Sequence, residues 1–292
     1  MEKEHLKRDL DKCDEAIRLN PEFSDAHYNR GFINCQLGNL ENAIQDYSNA
    51  IGLNPLLYDA YVNRGWVFHK LGDMERAIQD YNEAINLDTN DAEVYYNRGL
   101  VYDDLGQFER SILDYKEAIR LNPLFTDAYV NRGWVYFEID LTGLAIEDFN
   151  KAISMNPNIA EAYYNRGITY YKMDRYELAL QDFDEAIRID PKFANTYFNR
   201  GWAYCKLRRY GQAIKDFDNA IQLEPQFAEA YVGRGRGYCG LYLFKQALKD
   251  VEQAIQINPK LAMAYSNRAL VYRLLGKDAE AQKDMNHVKD LQ

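Results

Sequence analysis

The side chains in this chain with the most chemistry to offer are an asparagine, an arginine and an aspartate that return together every 34 residues. The asparagines are Asn29, Asn63, Asn97, Asn131, Asn165, Asn199 and Asn267, with Gly233 standing in the seventh unit. Counting each asparagine position as zero, arginine follows at +1 (Arg30 to Arg268) and aspartate at +17 (Asp46 to Asp284) in all eight units. A cation beside apolar neighbours needs a counter-charge. We therefore expect each arginine to pair with the aspartate of its own unit, as a structural ion pair rather than a row of ligand-binding arginines. The residues before the first unit lack the arginine, and Lys12 stands where the aspartate would be. The asparagine amide carries both a donor and an acceptor, which suits pairing with a peptide backbone whose side chains vary. An inter-repeat hydrogen bond is the alternative use.

A second set of residues shares the asparagine's side of the repeat. All three tryptophans, Trp66, Trp134 and Trp202, fall at +3, and Tyr28, Tyr96 and Tyr164 fall at -1 in alternate units. Packing against the neighbouring unit accounts for some of these, yet a strip of aromatic residues beside polar amides marks an interaction surface. Catalytic chemistry has no comparable pattern. His5, His27, His69 and His287 are dispersed, as are Cys13, Cys35, Cys205 and Cys239, with no metal-ligand spacing and no nucleophile and base grouping. Gly235, Gly237 and Gly240 spell a dinucleotide-loop pattern by letter but lie inside a helical stretch without a preceding strand. Neither a cofactor nor an enzymatic activity is expected.

Two helices per unit must hold these residues. The first has apolar, aromatic or small residues at -2, +2, +5 and +8, one side of an α-helix, and ends at +9 in Gly38, Gly72, Gly106 and Gly276. The second shows alanine at +14, an aliphatic residue at +15, an aromatic at +18 and alanine at +21, and Pro55, Pro123, Pro157, Pro191, Pro225 and Pro259 close the unit. Positions -4, -1, 0, +3 and +6 make the first helix's remaining stripe. Acids at -4, from Asp25 to Glu229, serve the helix N-terminus.

This spaced set of aromatic, Gly, Tyr, Leu-Gly, Ala, aromatic, Ala and Pro in a 34-residue helix-turn-helix resembles the tetratricopeptide repeat across essentially the whole chain. The resemblance implies an all-α, right-handed superhelix, an α-solenoid whose first helices line a concave groove. It implies one solenoid over 1–292, with an N-terminal half-repeat at 1–23 and repeats at 24–57, 58–91, 92–125, 126–159, 160–193, 194–227, 228–261 and 262–292. The polar last helix reads as a cap, the half-repeat as a true start, and the glycine-rich seventh unit as a weak point or bend. The asparagine column is similar to the asparagine ladder in the superhelix of O-linked N-acetylglucosamine transferase, which implies peptide-backbone contacts at the seven asparagines. A two-carboxylate clamp is not implied, since its additional Lys and Asn residues are missing.

Composition sets outer bounds. With 47% hydrophobic residues the chain can build a core, and a net charge of -10 without basic runs argues against nucleic acid and anionic membrane as partners. The charged N-terminus lacks the apolar core of a secretory leader, and scattered cysteines suit a reducing setting, so a cytoplasmic location is expected. The reading is a non-enzymatic scaffold that holds an extended, basic or aromatic-containing segment of a protein partner. The alternatives are a substrate-targeting segment of a larger enzyme and a self-associating oligomer.

Overall fold

The structure, a computed structural model, describes residues 2–291, and the described residues form seventeen α-helices and no strand. They fall into two compact units, one ending at Ile139 and the other beginning at Asp140. The first unit holds α1 (Glu2–Leu19), α2 (Ser24–Leu37), α3 (Leu40–Leu53), α4 (Tyr58–Lys70), α5 (Met74–Leu87), α6 (Ala92–Asp104), α7 (Phe108–Leu121) and α8 (Thr126–Glu138). The second holds α9 (Thr142–Met155), α10 (Ala160–Lys172), α11 (Tyr176–Ile189), α12 (Ala194–Lys206) and α13 (Tyr210–Leu223). It continues with α14 (Ala228–Gly240), α15 (Phe244–Ile257), α16 (Ala262–Leu274) and α17 (Asp278–Asp290). Within each unit, helices pack on their sequence neighbours, as a stacked repeat requires.

The repeated residues explain this packing. On the second helices, Ala43, Tyr47 and Ala50, and likewise Ala179, Phe183 and Ala186, are buried, and their small alanines let the paired first helix approach. The ring at +18 lies against the glycine at +2 of its own repeat. A Cβ on Gly31, Gly65 or Gly99 would come within 2.9, 3.0 or 2.8 Å of Tyr47, Tyr81 or Tyr115. In α10 and α12 the same holds for Gly167 against Phe183 and Gly201 against Phe217, at 2.8 and 2.9 Å. In these five repeats the glycine after the arginine is thus a seat for a ring.

Helix ends follow local chemistry. Gly38, Gly72, Gly106 and Gly276 adopt left-handed backbone with φ from 67° to 82°, and Asp140, Asp174, Arg208 and Tyr242 take the same conformation at φ 57° to 66°. Between repeats, an Asn or Asp at +25 accepts a hydrogen bond from the backbone N–H two residues on: Asn54 from Leu56, Asp88 from Asn90, Asn122 from Leu124 and Asn258 from Lys260. Asp88 therefore keeps the turn where Thr89 replaces the usual proline. The acids at -4 sit in first turns, among them Asp25, Asp59, Glu93, Asp127, Glu161 and Glu229.

The glycines of the seventh repeat, from which a weak point or bend is expected, have close neighbours. Helix α14 runs unbroken, with Gly233, Gly237 and Gly240 facing the preceding repeat and Gly235 facing α15 of its own. A Cβ on Gly233 would overlap the Phe217 ring, and Cβ atoms on Gly237 and Gly240 would meet Ile214 at 2.9 Å and Tyr210 at 2.5 Å. Glycine here permits close backbone approach, and the asparagine of the other units would not fit.

Candidate functional site

Six of the arginines at +1, Arg30, Arg64, Arg98, Arg166, Arg200 and Arg234, are brackets with two arms, and Arg268 shows the first arm alone. Arg64 donates from Nε and Nη2 to Asp80 at 2.8 and 2.7 Å, and Arg98, Arg166, Arg200, Arg234 and Arg268 make the same bidentate pair with Asp114, Asp182, Asp216, Asp250 and Asp284. Arg30 places both nitrogens on one oxygen of Asp46. The pairing within one repeat expected from the sequence is present. The remaining Nη1 reaches back to position +19 of the preceding second helix, which spacing alone did not disclose. Arg30 donates to Asp14 at 2.8 Å, Arg64 to Ser48 at 2.9 Å and Arg98 to Asn82 at 2.6 Å. Arg166 reaches Asn150 at 2.5 Å, and Arg200 and Arg234 reach Asp184 and Asp218 at 2.6 Å. The +19 column is polar at these positions in the sequence, a signal visible only once the helix pairing is known. Hydrogen bonds donated to Asp46, Asp250 and Asp284 hold the Arg30, Arg234 and Arg268 guanidiniums above their ordinary pKa. The tyrosine at -2 covers the guanidinium, as with Arg98 over Tyr95 and Arg234 over Tyr231. These arginines hold the scaffold together.

The asparagine column divides in two. In alternate repeats the amide donates to the tyrosine one repeat back: Asn63 to Tyr28 at 3.0 Å, Asn131 to Tyr96 at 2.8 Å and Asn199 to Tyr164 at 3.0 Å. Asn199 also donates to the Asn195 carbonyl and Asn267 to that of Met263. Asn165 is buried to 5% exposure, Asn97 is partly buried, and Asn29 is exposed. Tyr28, Tyr96 and Tyr164 pack their rings on Tyr47, Tyr115 and Phe183 at 5.8, 5.9 and 6.2 Å. Tyrosine at -1 and asparagine at 0 thus act together as an inter-repeat clasp. No described hydrogen bond reaches the Oδ1 atoms of Asn63, Asn131 and Asn199, so the amide oxygen is the part left for a ligand.

The tryptophans differ in access. Trp202 lies edge-on to Phe198 and Phe217, and Trp134 stacks on Phe137 at 5.0 Å. Trp66 is 42% exposed, with Lys70 Nζ 4.8 Å from its ring centroid, and Phe32 on the preceding first helix is 45% exposed. Between them opens a cavity of about 330 Å3 lined by Phe32, Cys35, Gln36, Tyr47, Asn63 and Trp66. The clasped Asn63 sits in its wall, and the Tyr47 hydroxyl donates to Cys35 Sγ at 3.6 Å. Farther along the same unit, burial together with Asp104 and Glu138 pushes the Asp103 carboxyl up to about 6. Asp104 also holds His69 Nε2 at 2.6 Å. Among the described residues no group of acids, histidines and cysteines is arranged to hold a metal ion, and no helix is long and apolar enough to cross a membrane.

A family profile described as tetratricopeptide repeat matches residues 24–55, 92–125, 160–193 and 194–227, and a second, described as TPR repeat, matches 65–106 and 143–174. Together they cover more than half of the chain. Among solved structures, a tetratricopeptide repeat protein of Parabacteroides merdae is similar, with TM-score 0.65, 22% identity, and 85% of this chain and 98% of that one covered. A MamA structure is 30% identical with TM-score 0.53, covering 56% of this chain and 96% of its own. YrrB, described as a TPR protein with an unusual peptide-binding site, is 25% identical with TM-score 0.53 over 63% of this chain and 95% of its own. No curated protein matches significantly. Seventeen helices in repeated pairs, the bracketing arginines and these profile matches lead to one conclusion: the chain belongs to the tetratricopeptide repeat family, and its fold class is the all-α solenoid.

Proposed function

We infer that this scaffold, of a family suited to protein–protein interaction, works without catalysis by holding an extended segment of a partner protein on the free stripe of its first helices. The cavity between Phe32 and Trp66 carries this reading. Two large aromatic residues stay exposed there although neighbouring repeats bury or stack their counterparts, and an apolar patch edged by amides suits a side chain flanked by backbone. An aromatic or aliphatic side chain of the segment enters this cavity, and its backbone N–H groups meet the Oδ1 atoms of Asn63 and Asn131. Basic side chains face Asp103, Asp104 and Glu138, where a cation relieves the crowding of three carboxylates. The peptide-binding site named for YrrB, at 25% identity, supports the same use of the fold.

The test is selection from a random displayed-peptide library on the full chain, followed by titration of the enriched peptides. Phe32→Ala combined with Trp66→Ala should weaken them by about tenfold or more, the usual weight of a buried aromatic anchor. Unchanged affinity in a variant that melts normally would remove the cavity from the site.

A further inference from the structure

Of the ten arginines of the second unit, four brace the repeats, Arg188 pairs with Glu185 on the surface, and five are exposed without a described ion pair, of which Arg175, Arg208 and Arg209 stand at the turns between helices. Arg166, Arg200, Arg234 and Arg268 are each bound bidentately to an aspartate. Arg236 and Arg273 are exposed and make no ion pair or side-chain hydrogen bond among the described residues. Both lie on the free stripe of consecutive first helices, at +3 of the seventh repeat on α14 and at +6 of the eighth on α16. Position +3 is otherwise Phe32, Trp66, Leu100, Trp134, Ile168, Trp202 and Leu270, so Arg236 is a lone cation in an apolar column. Lys206, at +7 of the sixth repeat on α12, adds an exposed ammonium 5.9 Å from the Tyr176 ring centroid. Cys205 and Cys239, both at +6 of their repeats, are half-buried on the same stripe of α12 and α14. Burial raises their thiols, that of Cys205 to about 12, and the Arg236 charge opposes both shifts. Glu229, the acid on the same stripe of α14, stands in its first turn, nearly two turns before Arg236, and forms no described ion pair.

We propose that the free stripe of α12, α14 and α16 is the seat of an acidic peptide segment, whose Asp or Glu carboxylates are gripped by Arg236 and Arg273 with Lys206 beside them. A guanidinium offers paired N–H donors in a fork that matches a carboxylate, and it does so most strongly where neighbours exclude water. Trp202 and Leu270 on either side supply apolar contact for the rest of the segment, which favours a peptide over a polyphosphate chain. This seat rests on the reading that the first-helix stripe binds peptides, and it adds an acidic requirement at residues outside the cavity of the first unit.

A random peptide library displayed on phage is selected on the full chain and, in parallel, on Arg236→Glu/Arg273→Glu. The expected result is a class of Asp- and Glu-rich peptides on the parent chain that disappears with the charge-reversed variant. Titrated singly, these peptides should lose about tenfold in affinity with Arg236→Ala, the equivalent of one charge-assisted hydrogen bond, and much less with Arg236→Lys. Enriched peptides without acids, or acidic peptides equally held by the variant, would overturn the acidic seat and leave the peptide groove standing. No enriched peptide on either chain would overturn both. Labelled oligothymidylate bound in place of peptides, and lost with the variant, would overturn the proposal in favour of nucleic acid. Thermal melting of the variant guards against misfolding, since both arginines are surface residues without described partners.

Discussion

The two units are built from one repeat and yet present opposite surfaces. Residues 1–139 carry 25 acidic and 14 basic side chains, a formal charge of -11, whereas residues 140–292 carry 20 and 21, a charge of +1. At +3, +6 and +7 of its first helices the first unit places Asp103, Asp104 and Glu138 with His69 and Lys70, and the second places Lys172, Lys206, Arg236 and Arg273 without an acid. The bracketing arginines barely change between them. Much of what varies lies at positions +3, +6 and +7, where a side chain packs in some repeats, as Trp202 does on Phe217, and stays exposed in others, as Trp66 does. The turns differ too: the first unit closes its turns with Gly38, Gly72 and Gly106, and the second with Asp140, Asp174, Arg208 and Tyr242 before returning to Gly276. A repeat fold thus separates a constant frame from a variable face, and the contrast between units shows which residues belong to each.

The frame should be sensitive in both units. Arg98→Met leaves buried Asp114 without its partner and should cost about 3 kcal/mol, with Arg200→Met costing somewhat more because its second arm holds a carboxylate, Asp184, where that of Arg98 holds the neutral amide of Asn82. Urea denaturation, with hydrogen exchange in α6, α7, α12 and α13, measures both, and a loss under ~1 kcal/mol at each would deny the arginines a structural role. Next in size is the seventh repeat. Gly233→Asn restores the asparagine of other units but drives a side chain into Phe217, so it should destabilise by about 1–3 kcal/mol. A neutral or stabilising result would show that α14 has room for it.

Smaller effects separate the faces and the turns. Asp103 holds a proton more tightly folded than unfolded, so its charge costs stability above about pH 6, and that cost fades as pH falls through 6 towards the ordinary carboxylate value near 4. Asp103→Asn should therefore gain about 1 kcal/mol at pH 8, water screening much of the effect, and nothing near pH 4. Equal gains at both pH values would place the effect in packing instead of charge. Tyr242→Gly removes the left-handed strain of a side chain at φ 60° and should gain up to about 1 kcal/mol, while Gly38→Ala at φ 82° should lose a similar amount. Thermal melting of the two variants checks the opposite signs.

Much of the frame was legible in the sequence. The helix pairs, the Arg98 to Asp114 type of ion pair and the glycine ends follow from offsets, because packing dictates them repeat after repeat. Three features were not legible. The second arm of an arginine depends on which second helix lies behind it, so spacing alone does not single out Ser48, Asn82 or Asp184. The division of the asparagine column also needed distance: Tyr28 and Asn63 are 35 residues apart and meet only through stacking. The glycines of α14 suggested weakness because loss of side chains lowers helix propensity, and only the position of Phe217 reveals that their absence is what allows contact. The aromatic stripe was visible as a set, whereas the exposure of Trp66 against the stacking of Trp134 and Trp202 came from tertiary packing.

The central claim is that partners lie on the first-helix stripe. It is tested most directly by placing the photo-crosslinker p-benzoylphenylalanine at position 66 or, separately, at position 113, where Leu113 is 64% exposed on the second helix α7. Each protein is irradiated with a peptide enriched in the library selection. The account predicts efficient crosslinking from position 66 and none above background from 113. Crosslinking from 113 with none from 66 would contradict it, and would move the working surface to the second helices.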